Sequence, residues 1–169
     1  HERIARTGQG VVGFITNNVY LDGLTHRRMR ESLLEDFDEI YVLNLHGSSK
    51  KQETSPDGSK DDNVFDITVG VAVVLLVKLP PGSRRREEAD KKAAKPRKLA
   101  SVHHADLWGL RKSKYDWLGK NNATTTTWTS FTPDAPDFRF VPRNAKYERE
   151  WNQGWSIRDI FPVSNNGLK

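Results

Sequence analysis

The stretch NVFDITVGVAVVLLVK, from Asn63 to Lys78, limits what this chain can fold into more than any other. It is one apolar run rich in Val and Leu, ended by Lys78 and then by Pro80-Pro81-Gly82. A bilayer span takes roughly 20 apolar residues, so the run is too short to be one. It is too apolar for a surface strand, and residues 67–78 read as a buried central strand of a sheet. Phe65 stands just before that strand in a polar setting, with Asp61, Asp62 and Asn63 ahead of it and Asp66 behind. A large ring in that place caps a core or offers a platform to a flat ligand.

The segments around this strand read as α/β. Gly10 to Thr16, GVVGFIT, is a short apolar run and reads as a buried parallel strand. It stops at Asn17-Asn18, at the carboxyl edge where open α/β sheets bind ligands. Leu24, Met29, Leu33, Leu34 and Phe37 recur at nearly helical spacing, which predicts a helix over Leu21 to Phe37 with Thr25 as its N-cap. His26, Arg27, Arg28 and Arg30 crowd the first turns, against the helix dipole. Arg27 and Arg28 are therefore candidates to meet phosphate or a partner surface, with ion pairs inside the protein as the alternative. Asp38 to Leu45 reads as a second strand. With only the loop 47–62 after it, the strand 67–78 pairs with it antiparallel.

The second half is more polar. Residues 80–98 are basic and rich in Ala and Glu, and read as a linker or surface insertion. Leu99 to Leu107 reads as a strand, Trp108 to Lys120 as a short helix and Thr124 to Phe131 as a β-prone stretch. Phe138 to Val141 reads as an extended piece, Tyr147 to Trp151 as a helix, and Ser156 as the cap of a last turn. The net charge is +5, much of it between Lys78 and Arg97, which suits a nucleic acid or another polyanion. There is no cysteine, so no disulfide and no thiolate metal site. No signal peptide or membrane span is visible, and the expected location is the cytoplasm.

Taken in order, GVVGFITNNVYLDG, THRRMRESLLEDFDEIYVLNLHG and DNVFDITVGVAVVLLVK resemble the second half of the catalytic domain of gamma-class adenine-N6 DNA methyltransferases. Within that class they look most like the single-polypeptide Type ISP restriction-modification enzymes. HHADLWGLRKSKYDWL, PDFRFVPRN and the stretch from Tyr147 through GWSIRDIF to SNNG resemble the segment that leads into the DNA specificity region.

The resemblance implies a fold and a division of the chain. The fold is the C-terminal part of a Rossmann-like mixed sheet, then a basic linker, then a partial α+β specificity region. Residues 1–79 would belong to the catalytic domain, 80–98 to the linker and 99–169 to the start of the target-recognition region. It also implies transfer of a methyl group from S-adenosylmethionine to an adenine flipped out of double-stranded DNA. Phe65 matches the aromatic that packs on that base, with Asn63 beside it. Arg27, Arg28, Asn17 and Asn18 become candidate DNA contacts.

The family's Gly-rich donor loop and its (Asp/Asn/Ser)-Pro-Pro-(Tyr/Phe) motif have no match. Pro80-Pro81 follows the wrong strand and lacks the aromatic. Both motifs are expected upstream of His1, in a longer polypeptide that also carries helicase and nuclease regions. The chain is then a fragment that does not methylate by itself.

Two other readings use the same residues: a non-enzymatic basic DNA-binding or adaptor module, and a methyltransferase acting on RNA or protein. A complete module would unfold as a monomer, whereas half a sheet would expose an unpaired apolar edge near residues 11–17. Other constellations are weaker. His103 and His104 are adjacent on a strand and point to opposite faces, which disfavours a shared metal ion with Asp106. His46 reads as surface or packing, Ser48 and Ser49 lack a nucleophile setting, and Asp61-Asp62 reads as a solvated loop.

Overall fold

The structure, a computed structural model, describes residues 2–83, 99–143 and 153. Within them the elements run α1 (Glu2–Thr7), β1 (Gly10–Asn17), α2 (Arg27–Asp36), β2 (Glu39–His46), β3 (Val71–Lys78), β4 (Ser101–Asp106), α3 (Arg111–Lys120) and β5 (Thr129–Phe131). The strands form one mixed sheet in the order β1-β3-β2-β4-β5. The Val-rich run supplies β3, inserted antiparallel between β1 and β2. β4 joins β2 in parallel, and β5 closes the other side antiparallel to β4. Strands from before and after the basic stretch thus belong to one sheet.

The period-two alternation of strand side chains builds two cores. On one face Ile40, Val42, Ala72, Val74, Leu76 and Val102 pack under Leu34 and Phe37. On the other Leu43, Leu45 and Val71 pack with Trp117 and Leu118 of α3 and with Trp128. Each aliphatic side chain fully buried this way contributes about 1.5–3 kcal/mol. β1, β2 and β4 run in the same direction, so Asn17, His46 and Asp106 finish at one carboxyl edge, where Val71 begins β3.

Several expectations need correction. β1 is neither buried nor paired in parallel. It lies at the sheet margin against the reversed β3, and its side chains alternate, Val12 and Phe14 inward, Val11 and Ile15 exposed. Leu21 to Phe37 is not one helix. Two 3-10 turns, Val19–Leu21 and Leu24–His26, precede α2. Thr25 caps nothing. Its hydroxyl meets His26 Nδ1 at 3.2 Å, and the cap position falls on His26. The reason is Gly23, poorly suited to a helix interior, whose N–H turns back to the Val19 carbonyl. The strand predicted over 67–78 begins only at Val71.

The Thr-rich stretch yields just the short β5, because Asn122 Oδ1 accepts from the amides of Thr124 and Thr125 and winds the chain into a turn. Phe138 to Val141 is irregular, since the chain turns there to bury Phe140 and bond its N–H to the Leu21 carbonyl. The bulk of the basic stretch, the helix predicted over 147–151 and the Ser156 cap lie outside the described residues. Among the described residues no helix is long and apolar enough to cross a membrane.

Candidate functional site

The segment between β2 and β3 returns to the carboxyl edge and carries Phe65. Asn63 folds it. Its side-chain amide donates to the carbonyls of Gly47 (2.9 Å) and Val69 (2.7 Å), and its Oδ1 accepts from the Phe65 N–H at 2.9 Å. Gly47 lets this happen. It sits at φ 83°, and a Cβ there would lie 2.5 Å from the Asn63 Cα, so only glycine fits. Val64 is turned into the core, while Phe65 stays 43% exposed.

Helix α3 holds the same segment through its side chains. Arg111 Nε donates to the Asn63 carbonyl at 2.8 Å, and its Nη2 donates to the Phe65 carbonyl at 3.2 Å and pairs with Asp66 at 2.7 Å. Lys114 Nζ donates to the carbonyls of Asp62 (2.6 Å) and Leu45 (2.7 Å) and pairs with Asp61 at 2.7 Å, both side chains fully buried. The Tyr115 hydroxyl donates to the Val64 carbonyl at 2.6 Å. Asp61 is therefore no solvated loop residue. Burial of an ammonium requires a carboxylate partner, and Asp61 is that partner.

Beside this segment lies a polar cavity of about 380 Å³, lined by Asn18, Asn44, His46, Glu53, His104 and Asp106 among others. His46 is one of the residues lining it. A bulge at the end of β2 puts it at φ 53°, a left-handed conformation that histidine tolerates better than most residues. Its Nδ1 faces Glu53 at 2.9 Å and its Nε2 faces Asp106 at 2.7 Å, while its ring stacks on Trp108 with centroids 3.3 Å apart. His46 is thus a networked residue rather than a surface or packing one.

Burial pushes the Asp106 carboxyl up, but the hydrogen bond from His46, with His104 and Asn44, outweighs it and leaves Asp106 below the ordinary carboxylate range. Burial holds His104 below the usual histidine range, against the pull of Asp106 and helped by the charge of His46. The Nε2 of His104 is buried without a hydrogen-bond partner.

The candidate contacts divide by position. Asn18 is buried and donates to Asn44 Oδ1 at 3.0 Å, which ties β1 to β2 across β3. A Cβ at Gly70 would lie 2.5 Å from Asn18 Nδ2, so the two fit only as a pair. Asn17 is exposed, and its Oδ1 accepts from the Val19 N–H. Arg27 and Arg28 are exposed at the start of α2, and Arg28 pairs with Glu31 at 2.8 Å. His103 and His104 do point to opposite faces. His103 stacks on Tyr41 on the α3 side, and His104 lines the polar cavity on the other.

The cavity cluster and the α3 clamp were missed from sequence. The clamp had a signal, since Arg111, Lys114 and Tyr115 stand at i, i+3 and i+4 on one helical face.

No family model matches the sequence, and no curated protein does. Solved structures share the fold. The DrdV–DNA complex, determined by cryo-EM, matches with a TM-score of 0.63 and 24% identity over 86% of this chain and 13% of its own. The ATP-dependent Type ISP restriction-modification enzyme LlaBIII bound to DNA matches with a TM-score of 0.60 and 29% identity over 85% of this chain and 9% of its own. A nuclease-deletion mutant of the Type ISP enzyme LlaGI, in complex with a DNA substrate mimic, gives a TM-score of 0.60 and 23% identity over 84% and 12%. The chain spans 9–13% of the length of these proteins. The likeness is one of fold, and two of these three proteins are Type ISP restriction-modification enzymes.

Proposed function

We propose that this chain is part of a site-specific adenine-N6 DNA methyltransferase of a restriction-modification system and that Phe65 stacks on the target adenine. The observation that carries this is Phe65 itself. A large ring is kept exposed at the carboxyl edge of the sheet on a segment whose backbone is held by Asn63 and by Arg111. A flipped base presents a flat π-face, and an aromatic side chain is the group that receives it. Asn63 then serves by shaping the segment that carries Phe65, since both its amide and its Oδ1 are engaged by that segment and Gly47.

The solved relatives hold DNA or a DNA substrate mimic, and double-stranded DNA is the partner expected for this chain, with Arg27, Arg28 and Asn17 on exposed ground to meet it. S-adenosylmethionine supplies the methyl group when bound. The described residues do not fit it. Gly47 and Gly70, at the ligand edge, have their open sides filled by Asn63 and Asn18 and leave no cradle. The donor pocket and the group that binds the adenine amine are assigned to other parts of a longer polypeptide, together with helicase and nuclease regions. Residues 1–79 then belong to the catalytic domain, but β4 and β5 share its sheet and α3 packs on it, so the start of the specificity region, expected at residue 99, moves beyond Phe131.

The frame upstream of the His1 codon is the first test. A Gly-rich strand-loop followed by an Asn-Pro-Pro-Tyr-like tetrapeptide supports the reading. A frame without them favours a basic DNA-binding or adaptor module. In the encoded polypeptide, labelled methyl transfer from S-adenosylmethionine to duplex adenine is the activity to assay. Phe65→Ala removes a stacking contact worth about 1–3 kcal/mol and should slow transfer accordingly. An unchanged rate overturns the role given to Phe65.

A further inference from the structure

We propose that α3 is the positioning element of the base-stacking wall, with Arg111, Lys114 and Tyr115 setting the plane of the Phe65 ring. This rests on the reading of Phe65 as the residue that meets the flipped base. The argument starts from four consecutive carbonyls. Those of Asp62, Asn63, Val64 and Phe65 each accept a hydrogen bond from an α3 side chain, Lys114, Arg111, Tyr115 and Arg111 in turn. An ordinary surface segment leaves such carbonyls to water or to its own turns. Here a helix placed after β4 in the chain takes all four, and Lys114 also reaches the Leu45 carbonyl near the end of β2. The segment is thereby fixed to both the helix and the sheet.

Stability is a poor reason for this arrangement. A buried ion pair such as Lys114–Asp61 roughly breaks even against apolar residues of the same volume. What it does supply is geometry, because a buried ammonium tolerates few other placements of its acceptors. The ring of Phe65 is 43% exposed, and the backbone that carries it sets which rotamers, and so which planes, are open to it. Stacking on a base depends on that plane, and a misplacement of about 1 Å in a catalytic constellation slows a reaction by up to about a hundredfold. Arg111, Lys114 and Tyr115 thus act through Phe65 and touch neither base nor methyl donor.

The test is a double-mutant cycle in the full-length polypeptide that contains this chain. The DNA is a duplex with 2-aminopurine at an adenine the enzyme has been shown to methylate. Phe65→Ala, Arg111→Ala and Tyr115→Phe are made singly, and the last two again in the Phe65→Ala background. The expected result is a roughly tenfold fall in kcat for Arg111→Ala and a smaller fall for Tyr115→Phe, with KM for DNA changed by less than about twofold. The 2-aminopurine emission of both complexes shifts in the direction seen for Phe65→Ala. In the Phe65→Ala background neither substitution has a further effect, because residues that act as a unit are not additive.

Additive losses, or unchanged kcat and emission beside a slow Phe65→Ala enzyme, overturn the positioning role and leave Phe65 in place. A Phe65→Ala enzyme as fast as the parent removes the base-stacking reading and this proposal with it. Tyr115→Phe takes away a single hydroxyl, and decides the matter should Arg111→Ala fail to fold.

Discussion

Arg30 shows how a residue that looks like surface charge can be structural. It is fully buried in α2, and its guanidinium donates to the carbonyls of Tyr20, Gly23, Asp137 and Phe138. These donors shape the turns ahead of α2 and pin the chain around Phe140. Arg30→Leu leaves the carbonyls buried without partners and should lower unfolding stability by about 3–5 kcal/mol, read from urea denaturation. A loss below about 1 kcal/mol would show that water replaces the guanidinium. At the cavity, His104 and Asp106 both bind protons more weakly in the folded chain than in the unfolded one. Stability should therefore fall on acidification, first below about pH 6.5 as unfolded His104 gains its proton, then below about pH 4 as Asp106 does. Thermal unfolding against pH reads both steps. His104→Gln should remove the first and Asp106→Asn the second. Stability that rises toward acid would contradict both assignments.

At the scale of elements, β1 stands out. Val11 and Ile15 are 62% and 56% exposed on the sheet face opposite α2. Among the described residues no strand pairs with the outer edge of β1. An apolar strand with a free edge is a template for pairing with another chain. The chain expressed by itself should associate as its concentration rises, and Ile15→Lys should suppress this without loss of helix or strand signal. Sedimentation velocity across a concentration series checks it, and a strictly monomeric parent would count against it. The edge expected near residues 11–17 is therefore present, although β1 is reached by β3 on its inner side and not by a parallel neighbour.

For the whole molecule the proposed partner is DNA, and its place on the surface can be tested. Arg27 and Arg28 stand exposed at the start of α2, and the exposed Arg28–Glu31 pair contributes little to stability. Each phosphate contact adds about 0.9 to the slope of log affinity against log salt. Replacing both arginines by Gln in the complete polypeptide should lower that slope by about 2 and leave thermal unfolding nearly unchanged. An unchanged affinity for DNA at low salt would move the interface elsewhere and leave the arginines to ion pairs within the protein.

Local sequence was enough for the α/β class, for β3 as an interior strand and for its antiparallel pairing with β2, because these follow from the apolar run and from loop length, while the central place in the sheet goes to β2. Phe65 could be picked out because a large ring among polar neighbours breaks the local pattern. The ends of elements were less legible. Gly23 breaks the helix locally, but the path of residues 20–26 into α2 is also held by Arg30, whose other carbonyl partners, Asp137 and Phe138, are more than a hundred residues away. The clamp on the Phe65 segment joins residues 61–66 to 111–115, and the cavity joins Asn18, Asn44, His46 and Asp106. Arg111, Lys114 and Tyr115 have a helical spacing visible in the chain, but nothing local ties them to residues 61–66, and the cavity set has no spacing at all. Hydrogen bonds and ion pairs act over about 3 Å, and only the order in which the strands assemble brings such distant side chains within that reach.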